Sequence, residues 1–567
     1  MKKILILLIL ILTVKSSFAF GLSLKWSSFF GGSLNDEITK VKTDEFGNTY
    51  IVGYTESDDY PTTPNAFQKG KRGNYDVFLT KLDKNQNIIW STYLGGSSRE
   101  ISQNFFVSNN AIWVVGETIS SDYPTTQGAL SGSFYGGSGD IIVAKFSLDG
   151  DLLYSSYFGG SGYDYAADVT VDGDNNVWIT GRTNSSDFYV TNDANKKSIT
   201  GAYDSYILKL SSSGELIYSS LLGGSLSDYG LSINYSKRLN QVVVVGFTDS
   251  DDYPIAGNSI QSNKIGTQDE YDGFVSFFNL NTNLAWSSYM GGFGNDFPLN
   301  TAFDSDGNLI LRFYTTSYNL PVSINAFQDE LKGNINNYIV KISANKNIIW
   351  ATYLGGSLTD GADNILHKFG GLTVDKENNV LITGFTDSKD FPTTKNSFSK
   401  TKSAVEDCYI SKFNKDGGLV YSTFLGGLNN DEGRSIATDD DRIIVTGWTV
   451  SYDFPTTNNA YSKKIIGDKD GFITIFQIPQ TLCDPVMNSE VGFTNLSLRT
   501  NRTISNDSYV NLTDFKSFDN GYVFSNDRIN VSYGFVSNFS FTVSDGVVRI
   551  ENSDLKSNEL QSDNSLP

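Results

Sequence analysis

Trp26-Ser-Ser-Phe-Phe-Gly-Gly32 is followed 64 residues later by Trp90-Ser-Thr-Tyr-Leu-Gly-Gly96, and the same stretch returns from Tyr154, Tyr218, Trp286, Trp350 and Tyr421. The intervals are 64, 64, 64, 68, 64 and 71 residues. A second signature, Gly53-Tyr-Thr-Glu-Ser-Asp-Asp-Tyr-Pro61, recurs from Gly116, Gly181, Gly246, Gly384 and Gly447, and in degenerate form from Phe313. A third, Asp76-Val-Phe-Leu-Thr-Lys-Leu82, recurs from Asp140, Asp204, Asp272, Asn336, Asp407 and Asp470. Three signatures, each present seven times in one order, define seven copies of one structural unit.

Each unit reads as four short strands. In the third they are Ala167 to Val171, Val177 to Thr180, Tyr206 to Leu210 and Leu216 to Leu221, alternating or β-branched and bounded by turn residues. Asp172-Gly-Asp-Asn-Asn176 lies between the first two as a tight hairpin; without a downstream bidentate Glu it is a turn rather than a calcium loop. Four-stranded antiparallel units repeated radially are propeller blades. The repeats start on a Trp-Ser-Ser strand and finish on the Asp470 strand, which has no outer partner of its own. Pairing those two strands closes the ring and removes its open edges. The expected fold is therefore all-β: a seven-bladed β-propeller over 20–479, closed by its N- and C-terminal strands. A small β-rich domain is expected at 480–552 and a disordered tail at 553–567.

These signatures resemble the SBBP β-propeller repeats of exported bacterial proteins. The resemblance is carried by Trp90-Ser-Thr-Tyr-Leu-Gly-Gly96, Gly384-Phe-Thr-Asp-Ser-Lys-Asp-Phe-Pro-Thr-Thr394 and Asp76-Val-Phe-Leu-Thr-Lys81, and extends from about Leu24 to Ile478. It implies a propeller and export, and no particular activity. The fifth unit departs from it, with Phe313 for Gly and Asn336 for Asp.

The composition agrees with export. Lys2 and Lys3, the apolar run Ile4 to Val14 and the small-x-small site Ser17-Phe-Ala19 read as a signal peptide over 1–19. No later run is long and apolar enough for a transmembrane segment, so an extracellular, cell-surface or periplasmic protein is expected. The chain has 43 basic and 63 acidic residues; without Lys2, Lys3 and Lys15 the net charge is −23. That surface repels phosphate backbones and excludes nucleic acid as a partner. Two cysteines, Cys408 and Cys483, make no disulfide framework.

Chemistry-bearing residues are few. An acid follows the second Gly of each Gly-Gly pair by four residues: Asp36, Glu100, Asp164, Asp228, Asp296, Asp360 and Asp431. As a ring at the channel mouth they would attract cations, with calcium the metal such oxygens suit. As turn residues they would accept backbone N–H bonds, and recurrence in every copy favours that structural reading. The single His367 permits no His-based triad with a second histidine, and no His/Cys metal cluster exists. No catalytic residue or cofactor is assigned. The leading expectation is a non-catalytic scaffold whose propeller face binds a protein or a glycan. A polysaccharide hydrolase or lyase with carboxylates at the mouth, and a surface-layer or adhesin component, are the alternatives.

Overall fold

The computed structural model describes residues 21–478 apart from 109, 268, 362–369 and 440, together with the backbone of five strands between 497 and 552. The expected signal peptide, His367, Cys483 and the tail at 553–567 lie outside the described residues.

Among the described residues, 28 strands between Ser23 and Gln477 form seven four-stranded antiparallel sheets. The first blade shows the plan. Strand β1 (Ser23–Phe30) leads into β2 (Asp36–Thr43), followed by β3 (Thr49–Thr55), β4 (Asp76–Leu82) and β5 (Ile88–Leu94). Strands β2 to β5 pair in sequence order, and the Gly95-Gly96 turn carries the chain to the inner strand of the second blade, Glu100–Val107. The last blade is completed by β1, which pairs antiparallel with Asp470–Gln477 in the register Ser27↔Thr474 to Phe30↔Gly471. The ring is closed as expected.

The strands run further than the alternation suggests. The inner strand of the third blade starts at Asp164, not Ala167, because a β-bulge between Ala166 and Asp168 breaks the period-two pattern. The same bulge recurs at Ile38/Lys40, Ser102/Asn104, Gly230/Ser232, Pro298/Asn300 and Gly433/Ser435.

Apolar side chains fill the spaces between blades. Trp90 packs with Tyr50, Phe105 and Phe146, and its Nε1 donates to Leu148 O of the next blade at 2.9 Å. The recurring Gly of the second signature is a close-approach position: a Cβ on Gly53 would lie 1.9 Å from Glu37 O. The fifth blade places Phe313 there, opposite Pro298. Cys408 is a buried free thiol.

By its contacts the chain divides into Met1–Pro479 and Gln480–Pro567. Within the second unit, Ser497–Arg499 pairs with Asn511–Thr513, and Arg528–Asn530, Val536–Ser544 and Val547–Asn552 form a three-stranded sheet. No helix of the described residues is long and apolar enough to cross a membrane.

Candidate functional site

The seven recurring acids each open an inner strand, or in the sixth blade precede it, and all are completely buried. Each accepts the N–H of the second glycine of its own Gly-Gly turn: Gly32 to Asp36 at 2.7 Å, Gly96 to Glu100 at 2.8 Å, Gly160 to Asp164 at 2.7 Å and Gly224 to Asp228 at 2.8 Å. The same bond is 2.8 Å at Asp296, 2.6 Å at Asp360 and 2.7 Å at Asp431. Hydroxyls from the following hairpin add to it, as Ser57 and Ser317 do to Asp36 and Asp296 at 2.9 and 2.7 Å. The acids thus occupy seven separate turns and are not gathered into one site. Among the described residues no three His, Cys, Asp or Glu converge where they could hold a metal ion. The aspartates of the long loops face the same turns. Asp59 accepts from Ser33 N at 2.8 Å, a bond that holds its carboxyl below the usual range, and Asn319 does likewise for Phe293 N at 2.7 Å.

What distinguishes one blade from another lies beside these turns. In six of the blades the residue after the acid and the residue after the recurring Gly of the second signature, or its counterpart Phe313, are cross-strand neighbours. The pairs are Glu37↔Tyr54, Ile101↔Glu117, Tyr165↔Arg182, Tyr229↔Phe247, Phe297↔Tyr314 and Glu432↔Trp448. Their contacts pass from blade to blade around the mouth. Arg434 Nη2 lies 3.1 Å from Glu37, which also pairs with Lys469. Tyr54 meets Tyr75 edge-on at 5.7 Å. Arg99 pairs with Glu117 at 3.0 Å, and Tyr163 donates its hydroxyl to Glu117. The Arg182 guanidinium sits 4.1 Å from the Tyr165 ring and 5.7 Å from that of Tyr229 in the next blade. Tyr229 stacks on Phe247 at 4.5 Å, and Phe247 meets Tyr271 and Phe297 edge-on at 5.1 and 4.9 Å. Leu231, Leu299, Tyr314 and Phe385 join that cluster.

The result is a collar with an aromatic arc and a charged arc. In the aromatic arc Tyr203, Tyr229 and Tyr271 are half-buried, so that they are packed and still reach solvent. In the charged arc two acids differ. Burial and neighbouring Glu406 and Glu37 raise Glu432 to about 7 against the pull of Arg434, whereas Arg434 and Lys469 overcome burial and hold Glu37 below its ordinary value.

Below the collar the inner strands close in on Asp168, which accepts from Asn104 Nδ2, from Ser232 Oγ at 2.6 Å and from Ile233 N at 3.0 Å. The cavity left there measures about 80 Å³. At the other end of the strands the hairpin turns of Asp44, Asp375 and Asp439 border a depression of about 710 Å³ that Lys25, Lys84 and Arg442 also line.

Sequence reasoning named the acids of the repeat and missed the collar. The signal was present: the position after each recurring glycine holds Tyr54, Glu117, Arg182, Phe247, Phe385 and Trp448, a large side chain every time and seldom the same one. Variation on a fixed frame marks the face that differs from copy to copy.

Fold and repeat geometry define a closed, seven-bladed propeller with a collared mouth. The SBBP β-propeller repeat family model matches residues 25–61 and 153–189, and the chain is a β-propeller repeat protein. Among curated proteins it is similar to the uncharacterized WD repeat-containing protein L264 of Acanthamoeba polyphaga mimivirus, with 21% identity over 549 residues. That alignment takes in 79% of this chain, which spans 38% of the length of the relative. Similar solved structures include the polysaccharide lyase Uly1, with 10% identity, TM-score 0.41, and 81% of this chain and 98% of that one covered. They also include the phage phi92 endosialidase, with 11% identity, TM-score 0.37, and 97% and 89% covered. A third is the β-propeller domain of the trilobed protease from Pyrococcus furiosus, with 9% identity, TM-score 0.34, and 75% and 90% covered.

Proposed function

We propose that this chain is an exported, non-catalytic scaffold that holds a glycan on the collar of its propeller. The observation that supports this is the arc of half-buried tyrosines, Tyr203, Tyr229 and Tyr271, set beside paired carboxylates and guanidinium groups. The apolar face of a sugar ring stacks on such rings, and its hydroxyls bond to the charged groups alongside. Protein partners use the same wide, loop-lined faces. The test is a glycan array probed with the full chain and with Tyr229→Ala and Tyr271→Ala. Retention of a glycan that each substitution weakens by roughly tenfold, the worth of one lost aromatic contact, supports the reading. An array with no retained glycan, or retention indifferent to both substitutions, refutes it.

The unequal acids favour a second reading, a polysaccharide hydrolase or lyase. Glu37, held ionised, and Glu432, raised toward neutrality, flank Arg434 at 3.1 and 3.4 Å. Two carboxyls of opposite protonation state are what general acid–base chemistry requires. Polysaccharide turnover by the full chain that Glu432→Gln abolishes would establish it in place of the scaffold.

A further inference from the structure

Every junction between blades sets the acid that opens an inner strand against a residue of the preceding blade. That residue is the first of the third signature, and the N–H of the acid donates to the carbonyl just before it, as Asp36 N does to Lys469 O at 2.9 Å and Asp164 N to Gly139 O at 2.8 Å. A Cβ on Gly159 would lie 2.7 Å from Asp164 Oδ2 and 3.0 Å from Asp140 Oδ1. The other acid pairs interact likewise: Asp470 with Asp36, Asp76 with Glu100, Asp204 with Asp228, Asp272 with Asp296, and Asp407 with Asp431.

The exception, between the fifth and sixth blades, reveals what the site needs. There Asn336 replaces the first acid. Its Oδ1 accepts from the loop, from Lys332 N at 2.8 Å. Its Nδ2 donates to three acceptors, Ile335 O at 2.9 Å, Asp360 Oδ2 at 3.0 Å and Gly356 O at 3.3 Å. A carboxylate oxygen in the place of that Nδ2 would face a backbone carbonyl and a second carboxylate with no hydrogen to give. Between the third and fourth blades an ammonium meets the need: Lys196 Nζ lies 2.8 Å from Asp204 and donates to Gly224 O at 2.7 Å. In three further junctions burial raises the acid and the loop amides draw it back down, helped by Gln68 Nε2 at 2.7 Å from Asp76 and Gln261 Nε2 at 2.9 Å from Asp272, and by a lysine preceding the loop, Lys71, Lys264 or Lys402.

Two junctions have none of these. At the position of those lysines stand Phe134 and Ile465, and at the position of Lys196 stand Ser131 and Ser462. The acids there are Asp140 with Asp164 and Asp470 with Asp36, all completely buried, and among the described residues no side chain donates to Asp140, whose carboxyl is held by the loop amides of Tyr135 and Gly136. The titratable groups facing the first pair are Asp187, Tyr157 and Tyr206; those facing the second are Asp59, Tyr60 and Tyr93.

We propose that these two junctions are proton-binding sites, in which Asp140 shares one proton with Asp164 and Asp470 shares one with Asp36 at neutral pH. The proton does for these pairs what the amide hydrogen of Asn336 and the ammonium of Lys196 do elsewhere: it bridges oxygens that would otherwise repel. Burial, with the neighbouring carboxylates adding to it, raises Asp36 and Asp140 to about 7 and Asp470 to about 6. Glu100, Asp228, Asp296 and Asp431 are raised to about 7 as well, so it is the missing side-chain donor or lysine that singles out these two junctions. Because the folded-state values are raised, the stabilisation is complete below the ordinary aspartate range and is lost as pH rises through about 6 to 7. One of the two sites lies beside the seam that closes the ring.

The test compares the full chain with Asp140→Asn/Asp470→Asn, which copies the native Asn336, and with Asn336→Asp, which adds a pair lacking a donor. At pH 7 the infrared spectrum of the wild type should show the C=O band of a protonated carboxyl, and the double variant should lose intensity there. The fall in melting temperature between pH 5 and pH 8 should shrink in the double variant and grow in Asn336→Asp. With a folded-state value of about 7, the folded-to-unfolded ratio should fall about 100-fold per pair between pH 5 and pH 7. Absence of the band at pH 7, or the same pH dependence in all three proteins, overturns the proposal. So does calcium that raises the melting temperature of the wild type at pH 8 and not that of the double variant, which would make the pairs cation sites.

Discussion

Arg312 offers a sharp quantitative test of how the irregular fifth blade is held. Its guanidinium is fully buried where other blades carry Val52, Val115, Thr180, Val245, Thr383 and Thr446. It donates to Asn337 Oδ1 at 2.8 Å, to Tyr314 Oη at 2.9 Å, to Tyr409 Oη of the next blade at 3.0 Å and to Asn300 Oδ1 at 3.2 Å. Arg312→Val restores the side chain of the regular blades and leaves the Asn300 and Asn337 carbonyls buried without that donor. Each such group costs about 1–3 kcal/mol. Tyr409 still donates to Asn337 Oδ1 at 2.8 Å, which offsets part of the loss, so about 3–4 kcal/mol in total is expected. Adding Asn300→Ser, the residue that stands at Ser232 and Ser435 in two regular blades, removes one orphan and should recover about 1 kcal/mol. Calorimetry of the wild type, the single and the double variant measures both steps. A single variant that melts with the wild type, or a double variant no more stable than the single, would refute the reasoning.

Further predictions concern the frame. Gly53→Ala places a Cβ 1.9 Å from Glu37 O and should lower stability by about 3 kcal/mol or more, seen as loss of folded yield or a lower denaturation midpoint. Asp59→Ala removes the acceptor of Ser33 N and Ser33 Oγ and should cost about 1 kcal/mol, whereas Asp59→Asn, the residue found at Asn319, should keep most of it. Because that carboxyl is held below its ordinary value, its contribution is present above the usual aspartate range. It is lost as pH falls through the lowered value, so the Asp59→Ala difference should narrow on strong acidification.

Much of this was legible in the sequence because a repeat announces itself. Three signatures located the blades, the Gly-Gly turns between them and the partner of the first strand. The starts of the inner strands were not legible, since the bulge before Asp168 cancels the alternation by which strands are recognised. The acids of the repeat were found, with the turn-fixing reading favoured over an acidic mouth, and each of the seven accepts a backbone N–H in its own buried turn. The collar escaped because its members share a position and not an identity. Tyr54, Glu117 and Arg182 look like noise in an alignment of repeats until their cross-strand partners are known. Asn336 looked like decay of a motif; its three donated hydrogen bonds make it informative about the intact ones.

The closed ring is the claim on which collar and junctions both depend, and one engineered bond tests it. Ser27 Oγ and Thr474 Oγ1 lie 2.8 Å apart across the seam, 447 residues apart in sequence. In a background with Cys408→Ser and Cys483→Ser, the pair Ser27→Cys/Thr474→Cys should form an intramolecular disulfide. By chain entropy that bond should stabilise the ring by about 4–6 kcal/mol relative to its reduced form. A monomeric, faster-migrating chain with a raised melting temperature is the predicted result. Free thiols under oxidising conditions, or disulfide-linked dimers in place of the monomer, would show that the first strand does not close its own ring.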